Sequence, residues 1–380
     1  MLKSLAISIA LLLASAPGFS QVLPKRLDVA DGELGRNLDT QLTSAAEKGF
    51  GGAIIIEVRG KLILKAGYGL ANREARIPFT ADTIAQIGSI TKPLTALAVL
   101  QLAEEGKLEL SAPVAKYLPG AAQPAANATL HQLLTHHAGL ADTCGGDFVR
   151  VSKADLLHRC MAMPLAYPPN QENYSNMGYS ILAAVVEQVS GQSWENYLRT
   201  HIFEPLAMSR TGFAFTGVDT REFAAGYRNG ERQAVISDRL AELHGDDWNL
   251  RGNGGIQSSA ADMERFYRGL SGRAPGISHA VVEQMIKPHE RLEGDAWEGY
   301  GFAVRLDANN KAYRIGHSGS DGVFLSYFGW LPQQDIFFYI VGNNGEAAVK
   351  PIVRVVVNAI QNAAGVKPPG RPIQTVPDKP

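Results

Sequence analysis

The sequence predicts an α+β fold, with one antiparallel sheet built from both chain ends, flanked by terminal helices, and a mostly helical lobe in the centre. Three observations predict it: β-rich runs occur early (residues 52–66) and late (residues 322–341), helical periodicity dominates residues 92–202, and an amphipathic pattern lies near each end. Two such lobes leave a cleft between them, and a ligand site is expected there.

Each element follows from its apolar spacing and its turn residues. Apolar residues at every third or fourth position predict helices, and β-branched or aromatic runs between turn residues predict strands. In chain order these are a helix (34–45), strands (52–58 and 62–66), helices (92–105, 154–161, 179–189 and 194–202), strands (322–330 and 335–341) and a helix (347–363). Arg59-Gly60-Lys61 predicts a hairpin turn between the first two strands.

The predicted domain spans residues 21–365. Its α/β lobe comprises residues 21–85 and 250–365, and its helical lobe residues 86–249. Residues 366–380 contain five prolines and no apolar periodicity, which predicts a flexible tail.

The first 20 residues have the pattern of an export signal. Lys3 precedes an apolar run from Leu5 to Ala14, and small residues follow up to Ser20. The run is too short to span a bilayer, and no later segment reaches about 18 apolar residues, so no stable membrane span is expected. We expect cleavage near Ser20, with an uncleaved anchor as the alternative, and hence a periplasmic or secreted protein.

Charge and cysteine content exclude several kinds of partner. Lys and Arg number 36 against 37 Asp and Glu, so the near-neutral chain lacks the basic excess that binds nucleic acid. Cys144 and Cys160 are too few for a thiolate metal site; they form a disulfide or remain two thiols. His289-Glu290 lacks the second histidine of a zinc hydrolase motif, so a metal site is not expected.

The first candidate motif is Ser89-x-x-Lys92 at the start of a helix with an apolar body. Residues three apart on a helix share a face, so the two side chains can meet. Helix N-termini also present unsatisfied N–H groups and a positive dipole end. This combination helps a serine lose its proton, although an N-cap serine followed by an exposed lysine fits the same letters.

The second candidate motif is Tyr174-x-Asn176, directly before another apolar helix. Residues two apart in an extended segment point the same way, so both can face one cleft. Held near Lys92, the tyrosine is expected to have a depressed pKa and to accept the serine proton. Tyr227-Arg228-Asn229 has the same letters, but its Asn-Gly sequence marks a surface turn.

The third candidate motif is His317-x-Gly319, just before the predicted strand 322–330. A glycine on an edge strand lets a substrate backbone come close. The N–H groups of Ser320 and Ser89 are then expected to polarise a substrate carbonyl oxygen. His137-Ala138-Gly139 has the same letters, but it precedes the tyrosine motif.

These three motifs in this order resemble the signatures of the serine β-lactamase-like superfamily. That superfamily includes class C β-lactamases, D-alanyl-D-alanine carboxypeptidases, D-aminopeptidases and esterases. The stretches LHQLLTHHAGL and GNGGIQSSAADMERF also look like this group, and the resemblance covers residues 51–345. It implies the superfamily's fold, with the active site between the two lobes.

The resemblance also implies a role for each matching residue. Ser89 is the implied acyl-forming nucleophile, activated by the charge of Lys92, and Tyr174 is the implied proton shuttle. The implied substrate contacts are Asn176, His317, Gly319 and Ser320. The implied cycle forms an acyl-enzyme on the serine and hydrolyses it with water, without a cofactor.

One departure from the pattern bears on the substrate. Class C β-lactamases usually have Lys-Thr-Gly where this chain has His317-Ser318-Gly319, and histidine is mostly neutral at pH 7. We therefore expect a D-alanyl peptide, small amide or short-chain ester as substrate, with peptidoglycan fragments as possible partners. A class C-like β-lactamase and a penicillin-binding cell-wall sensor with little turnover are the alternatives. The substrate-contacting loop is expected within residues 143–169.

Overall fold

In the computed structural model, residues 25–215, 218–243 and 245–366 are described. The predicted signal (residues 1–20) and the predicted tail beyond residue 366 lie outside them. Within these ranges, no helix combines the length and the apolar character that crossing a membrane requires.

Strands from both chain ends form one antiparallel sheet, as the sequence predicts. Among the described residues the sheet has nine strands, in the spatial order Lys25–Ala30, Lys61–Tyr68, Gly52–Val58, Ile336–Gly342, Leu325–Leu331, Ala312–Ser320, Ala303–Leu306, Ala296–Glu298 and Glu290–Arg291. The two ends of the chain meet where Ile56 lies opposite Phe338. Three short strand pairs lie outside the sheet: Leu70–Asn72 with Ile77–Pro78, Ala85–Gln86 with Gln257–Ser258, and Gly226–Arg228 with Glu231–Gln233.

The helices lie at the ends and in the middle of the chain. The α-helices are Gly32–Glu47, Thr91–Glu104, Leu130–Leu134, Lys153–Asp155, Asn176–Ser190, Trp194–Leu198, Ile236–Leu243, Ala260–Leu270, His279–Ile286 and Glu346–Ala363. Two of them continue as π-helical turns, Leu156–Cys160 and Arg199–Phe203, and short 3-10 turns occupy Gly88–Ile90, Val114–Lys116, Ala125–Asn127 and Thr220–Glu222.

Alternation along the strands gives the sheet two buried faces. Ile54 and Ile56 pack with the terminal helices Gly32–Glu47 and Glu346–Ala363, whereas Ile55 between them faces the core shared with the helical region. Successive side chains on a strand point to opposite faces, so a strand covered on both sides is apolar at nearly every position. Because both of its faces are packed, the sheet holds the residues that project from its inner face in fixed positions.

The predicted hairpin is present between Val58 and Lys61, and Arg59 at its turn has a positive φ of 51°. Asn170, in the loop before the tyrosine motif, also adopts a left-handed conformation, with φ of 67°. Asparagine tolerates that conformation better than most residues. Each of these two turns therefore contains a residue in the left-handed conformation.

The two cysteines form a disulfide, which decides between the two alternatives left by the sequence. Cys144 and Cys160 are bonded with a Cα–Cα distance of 5.4 Å, and both are buried. The bond ties the irregular segment after Leu140 to the π-helical turn Leu156–Cys160. That segment contributes residues to the candidate active site described below.

We expect the Cys144→Ala/Cys160→Ala double variant to lose about 3 kcal/mol of unfolding free energy, because the bond closes a loop of 16 residues in the unfolded chain. Urea unfolding monitored by tryptophan fluorescence measures the loss. A reductant should destabilise the parent protein by a similar amount and leave the double variant unchanged. Equal curves for the parent protein with and without reductant would show that the bond does not contribute.

Candidate active site

Ser89 lies in a tight turn directly before a buried helix. The 3-10 turn Gly88–Ile90 leads into helix Thr91–Glu104, whose first ten residues are all buried. Gly88 has a φ of 52°, and a Cβ there would lie 2.7 Å from the backbone nitrogen of Ser320. Glycine is therefore required for its conformation and for the close approach of the neighbouring strand. The turn presents Ser89 at the start of the helix.

Lys92 is fully buried directly beside this serine. Its Nζ donates to three oxygens: Ser89 Oγ at 3.1 Å, Asn176 Oδ1 at 2.6 Å and the carbonyl oxygen of Asn253 at 2.9 Å. An ammonium group has three donors, so this arrangement fits the charged form. A buried charge needs such polar partners, and at short range it stabilises a serine alkoxide strongly.

Tyr174 lies against the same pair. Its ring centroid is 4.7 Å from Lys92 Nζ, and its side chain is hydrogen-bonded to that of Ser89. The expectation of a depressed pKa is wrong: burial raises the pKa of Tyr174, and the hydrogen bond with Ser89 offsets only part of this effect. The tyrosine is therefore a neutral phenol, able to accept the serine proton only if it passes its own proton on.

Asn176 is the first residue of helix Asn176–Ser190, and the preceding Ser175 is extended and caps that helix. The Oδ1 atom of Asn176 accepts from Lys92, and its Nδ2 donates to Asp142 Oδ1 at 2.9 Å. One hydrogen on Nδ2 is thereby used within the protein. Only the other remains available for the expected contact with a substrate.

The histidine motif lies within the sheet. The strand Ala312–Ser320 contains it and pairs with strands on both sides, so the expected edge strand is wrong for most of its length. Pairing with the strand Ala303–Leu306 ends at Gly316, so the last four residues are unpaired on that side. Gly319 is needed by the chain itself, because a Cβ there would lie 1.8 Å from the carbonyl oxygen of Ile87.

Ser320 approaches the nucleophile through its backbone. Its backbone nitrogen lies beside Gly88, the residue before Ser89. Its hydroxyl is engaged elsewhere and donates to Glu346 Oε2 at 2.7 Å. Any contribution to the site therefore comes from the main chain.

His317 is neutral at physiological pH. Burial, assisted by the charge on Lys92, lowers the pKa of His317 to about 4, although a hydrogen bond to the carbonyl oxygen of Ser318 opposes the shift. The imidazole is therefore an uncharged hydrogen-bonding group near Lys92.

Acidic side chains also act on this site. Burial, with a further contribution from Glu172, raises the pKa of Glu298 to about 8, and nearby Lys92 opposes the rise. Asp147, which is exposed, also lies within electrostatic range of Lys92. The motifs did not reveal either acidic residue.

Two further residues that the motifs missed hold the lysine and its partner. Asn253, in the Gly252–Gly255 stretch, supplies a carbonyl oxygen to Lys92, and its own side chain donates to Ser180 Oγ and the carbonyl oxygen of Asn249. Asp142 holds the Asn176 amide. The glycine-rich stretch around Asn253 was a visible signal, but nothing in the sequence linked it to Lys92.

A serine hydrogen-bonded to a buried lysine at a helix start, with a tyrosine against both, is an arrangement typical of serine hydrolases. Comparison with known proteins places the chain within this class: the β-lactamase family model matches residues 39–357. The chain belongs to the β-lactamase family. This confirms the superfamily resemblance and the expectation of a serine hydrolase.

Similar proteins include penicillin-binding and β-lactamase relatives. The chain is 34% identical over 259 residues to a putative penicillin-binding protein, PbpX of Bacillus subtilis, covering 68% of this chain and 63% of that protein. An octameric penicillin-binding protein homologue of Pyrococcus abyssi has a TM-score of 0.74 at 29% identity, covering 88% and 78% of the two chains. A class C β-lactamase of Rhodobacter sphaeroides has a TM-score of 0.72 at 20% identity, covering 85% and 99%, and shows the shared fold.

Proposed function

We propose that the protein is an exported hydrolase that cleaves a short-chain ester, a small amide or a D-alanyl peptide through an acyl-enzyme on Ser89. The observation that carries the proposal is the 3.1 Å hydrogen bond from the fully buried Lys92 ammonium to Ser89 Oγ. An ordinary surface S-x-x-K pair has no reason to be desolvated in this way, because burying a charge is costly. Peptidoglycan fragments are the proposed natural source of D-alanyl substrates.

In each half of the proposed cycle, a proton is relayed through Tyr174 and one bond to the acyl carbon is broken. Ser89 Oγ attacks the substrate carbonyl carbon, its proton passes to the Tyr174 oxygen, and the phenolic proton of Tyr174 passes to the leaving nitrogen or oxygen. The phenol stays neutral throughout, as its raised pKa requires. Lys92 stabilises the alkoxide, and the N–H groups of Ser89 and Ser320 stabilise the oxyanion. Water then attacks the acyl carbon by the reverse proton path.

The charges around the nucleophile favour substrates without a carboxylate next to the scissile bond. His317 is neutral, so the histidine motif carries no fixed cation. A substrate carboxylate would therefore find no opposite charge at this motif. Esters and amides therefore rank above D-alanyl-D-alanine peptides, and β-lactams rank last.

A side-by-side panel tests this ranking. The mature chain is assayed with nitrophenyl butyrate, a D-Ala-D-Ala peptide and a chromogenic cephalosporin, and kcat/KM is compared. We expect the ester to be the best substrate. A cephalosporin preferred over both others would replace the proposal with a β-lactamase, and a long-lived fluorescent penicillin adduct without turnover of any substrate would indicate a sensor.

We expect no His317-dependent step in the pH profile between pH 5.5 and 8, because this imidazole gains its proton only near pH 4. The measurement is kcat/KM for the D-Ala-D-Ala peptide across pH 3.5–8 in the parent protein and in His317→Gln. As pH falls through about 4, the protonated imidazole should attract the carboxylate, and the parent should gain relative to the variant. A step near pH 6.5 that the variant abolishes would contradict the assignment.

The proposal of export is supported by the disulfide and by the sequence before the described residues. Structural disulfides such as Cys144–Cys160 persist in oxidising compartments. Expression with the native N-terminus, followed by fractionation and N-terminal sequencing, tests it. We expect a periplasmic or secreted product that begins near Gln21, whereas an intact Met1 in the cytoplasmic fraction would contradict export.

A further inference from the structure

The proposed relay depends on one tyrosine being held in a fixed place, and the contacts around Tyr174 converge on a single neighbour. His136 is buried, with 4% of its surface exposed, and it lies in the loop after the short helix Leu130–Leu134. Its imidazole ring lies against the Tyr174 ring at a centroid distance of 4.4 Å, with 30° between the ring planes. No catalytic motif of the sequence includes this histidine.

His136 also binds the main chain on both sides of the tyrosine. The N–H of Asn173 donates to the carbonyl oxygen of His136 at 2.9 Å, and the N–H of Ser175 donates to His136 Nδ1 at 3.1 Å. His136 therefore contacts the ring of Tyr174 and the main chain of the residues on either side of it. The backbone of His136 has a positive φ of 60°, uncommon for a residue other than glycine, and such a conformation persists only where its surroundings enforce it.

The hydrogen bond from Ser175 also determines the state of the imidazole. A backbone N–H can only donate, so Nδ1 carries no proton and the ring proton is on Nε2. The neutral form is favoured because burial, together with the charge of Lys92 and the neighbouring His317 and His137, lowers the pKa of His136. Besides Tyr174, the ring of Tyr179 also faces it, at 5.2 Å.

We propose that His136 is a positioning residue that holds the Tyr174 phenol against Ser89 and Lys92 through its ring and its Nδ1 atom. This inference rests on the proposed function. It assigns no chemical step to the histidine: the imidazole acts on the reaction only through the tyrosine. Displacing a proton-transfer group by about 1 Å can cost about 100-fold in rate, so the effect should appear in kcat.

Two substitutions separate the two contacts. His136→Asn keeps an acceptor atom near the position of Nδ1 and tolerates a positive φ, but removes the ring. His136→Phe keeps a ring and removes the acceptor. The matched control is His137→Asn, which removes the same atoms from the adjacent buried residue, whose Nδ1 is bonded to the carbonyl oxygen of Thr135 instead.

We expect each His136 variant to lower kcat for nitrophenyl butyrate about 10- to 100-fold, with KM changed less than about threefold. The control should keep kcat within about threefold. Rates are normalised to the fraction of protein that acylates on Ser89, so incomplete folding of one variant does not imitate the result. Circular dichroism melting is recorded for each variant.

A double-mutant cycle with Tyr174→Phe distinguishes positioning of the phenol from a purely structural role of His136. Without the phenolic hydroxyl there is no relay to position, so adding His136→Asn should then lower kcat by less than about threefold. An equal loss in both backgrounds would overturn the proposal. So would a loss in the His137 control as large as that in His136→Asn, or an unchanged kcat in Tyr174→Phe.

The failure of this inference is distinguishable from failure of the proposed function. All variants in the cycle retain Ser89 and Lys92, so acyl-enzyme formation on Ser89 is still measurable in each. If hydrolysis survives Ser89→Ala, the proposed function fails, whatever the histidine does. If hydrolysis requires Ser89 but the cycle is additive, only the role of His136 is wrong.

Discussion

Ser89→Ala should abolish hydrolysis, with kcat/KM for nitrophenyl butyrate reduced by about 10⁴-fold or more, because no other group in the proposed cycle can form the acyl bond. The hydroxyl lies 3.1 Å from the Lys92 Nζ, and the variant removes only that oxygen. The half-buried site should accept the alanine without a large loss of stability. Residual rates are measured with enzyme purified in parallel, and intact-protein mass spectrometry follows acylation by a fluorescent penicillin.

The control for this variant is Ser190→Ala, at the end of helix Asn176–Ser190 and outside the proposed machinery. It should keep the activity and the acyl adduct of the parent. Near-parental hydrolysis by Ser89→Ala, with the adduct on another residue, would remove the nucleophile assignment. Loss of the adduct in both serine variants would point to a general loss of structure instead.

Lys92→Met should lower kcat/KM by about 10³-fold or more, because the alkoxide of Ser89 loses the buried charge that stabilises it. The effect on stability is set by two opposing contributions. Removing the ammonium leaves two buried acceptors without a donor, Asn176 Oδ1 and the carbonyl oxygen of Asn253, at about 1–3 kcal/mol each. Eliminating the cost of burying a charge offsets part of this.

The measurement for Lys92→Met is a comparison of ester hydrolysis with the unfolding free energy from urea titration. Lys116→Met is the control, since this lysine is exposed and paired with Glu109. A strongly destabilised Lys92→Met protein with nearly full specific activity would reverse the assignment, because the lysine would then be a structural cation. The expected result is the activity loss measured per folded protein, with a loss of unfolding free energy of a few kcal/mol at most.

Local patterns predicted correctly that Ser89 and Lys92 meet, because the geometry of this pair is local. Ser89 and Lys92 are three residues apart, and one turn of helix brings them together whatever the rest of the chain does. The hairpin at Arg59 and the helix after Ser175 are likewise determined by neighbouring residues. Their positions in the structure agree with the prediction for that reason.

The strand Ala312–Ser320 was missed because its sequence carries little local preference for a strand. Its last five residues, Gly-His-Ser-Gly-Ser, contain no β-branched or aromatic side chain, and pairing with the strand Leu325–Leu331 imposes the extended conformation. The sequence analysis assigned the small size of Gly319 to the approach of a substrate backbone, and it missed a contact within the chain for a related reason. The close approach it permits is to the Ile87 carbonyl oxygen, more than 200 residues away in sequence.

The sequence by itself determined the class of enzyme, the order of its motifs and the pairing of a serine with a lysine, because these depend on residue type and short spacing. Only the tertiary structure decided the protonation states and the supporting contacts. Tyr174 keeps its proton and His317 stays neutral because burial penalises charge, and burial is a property of the whole fold. The bond from Lys92 to Asn253 spans 161 residues, and the bond from Ser175 to His136 joins residues 39 apart that only the folded chain brings together.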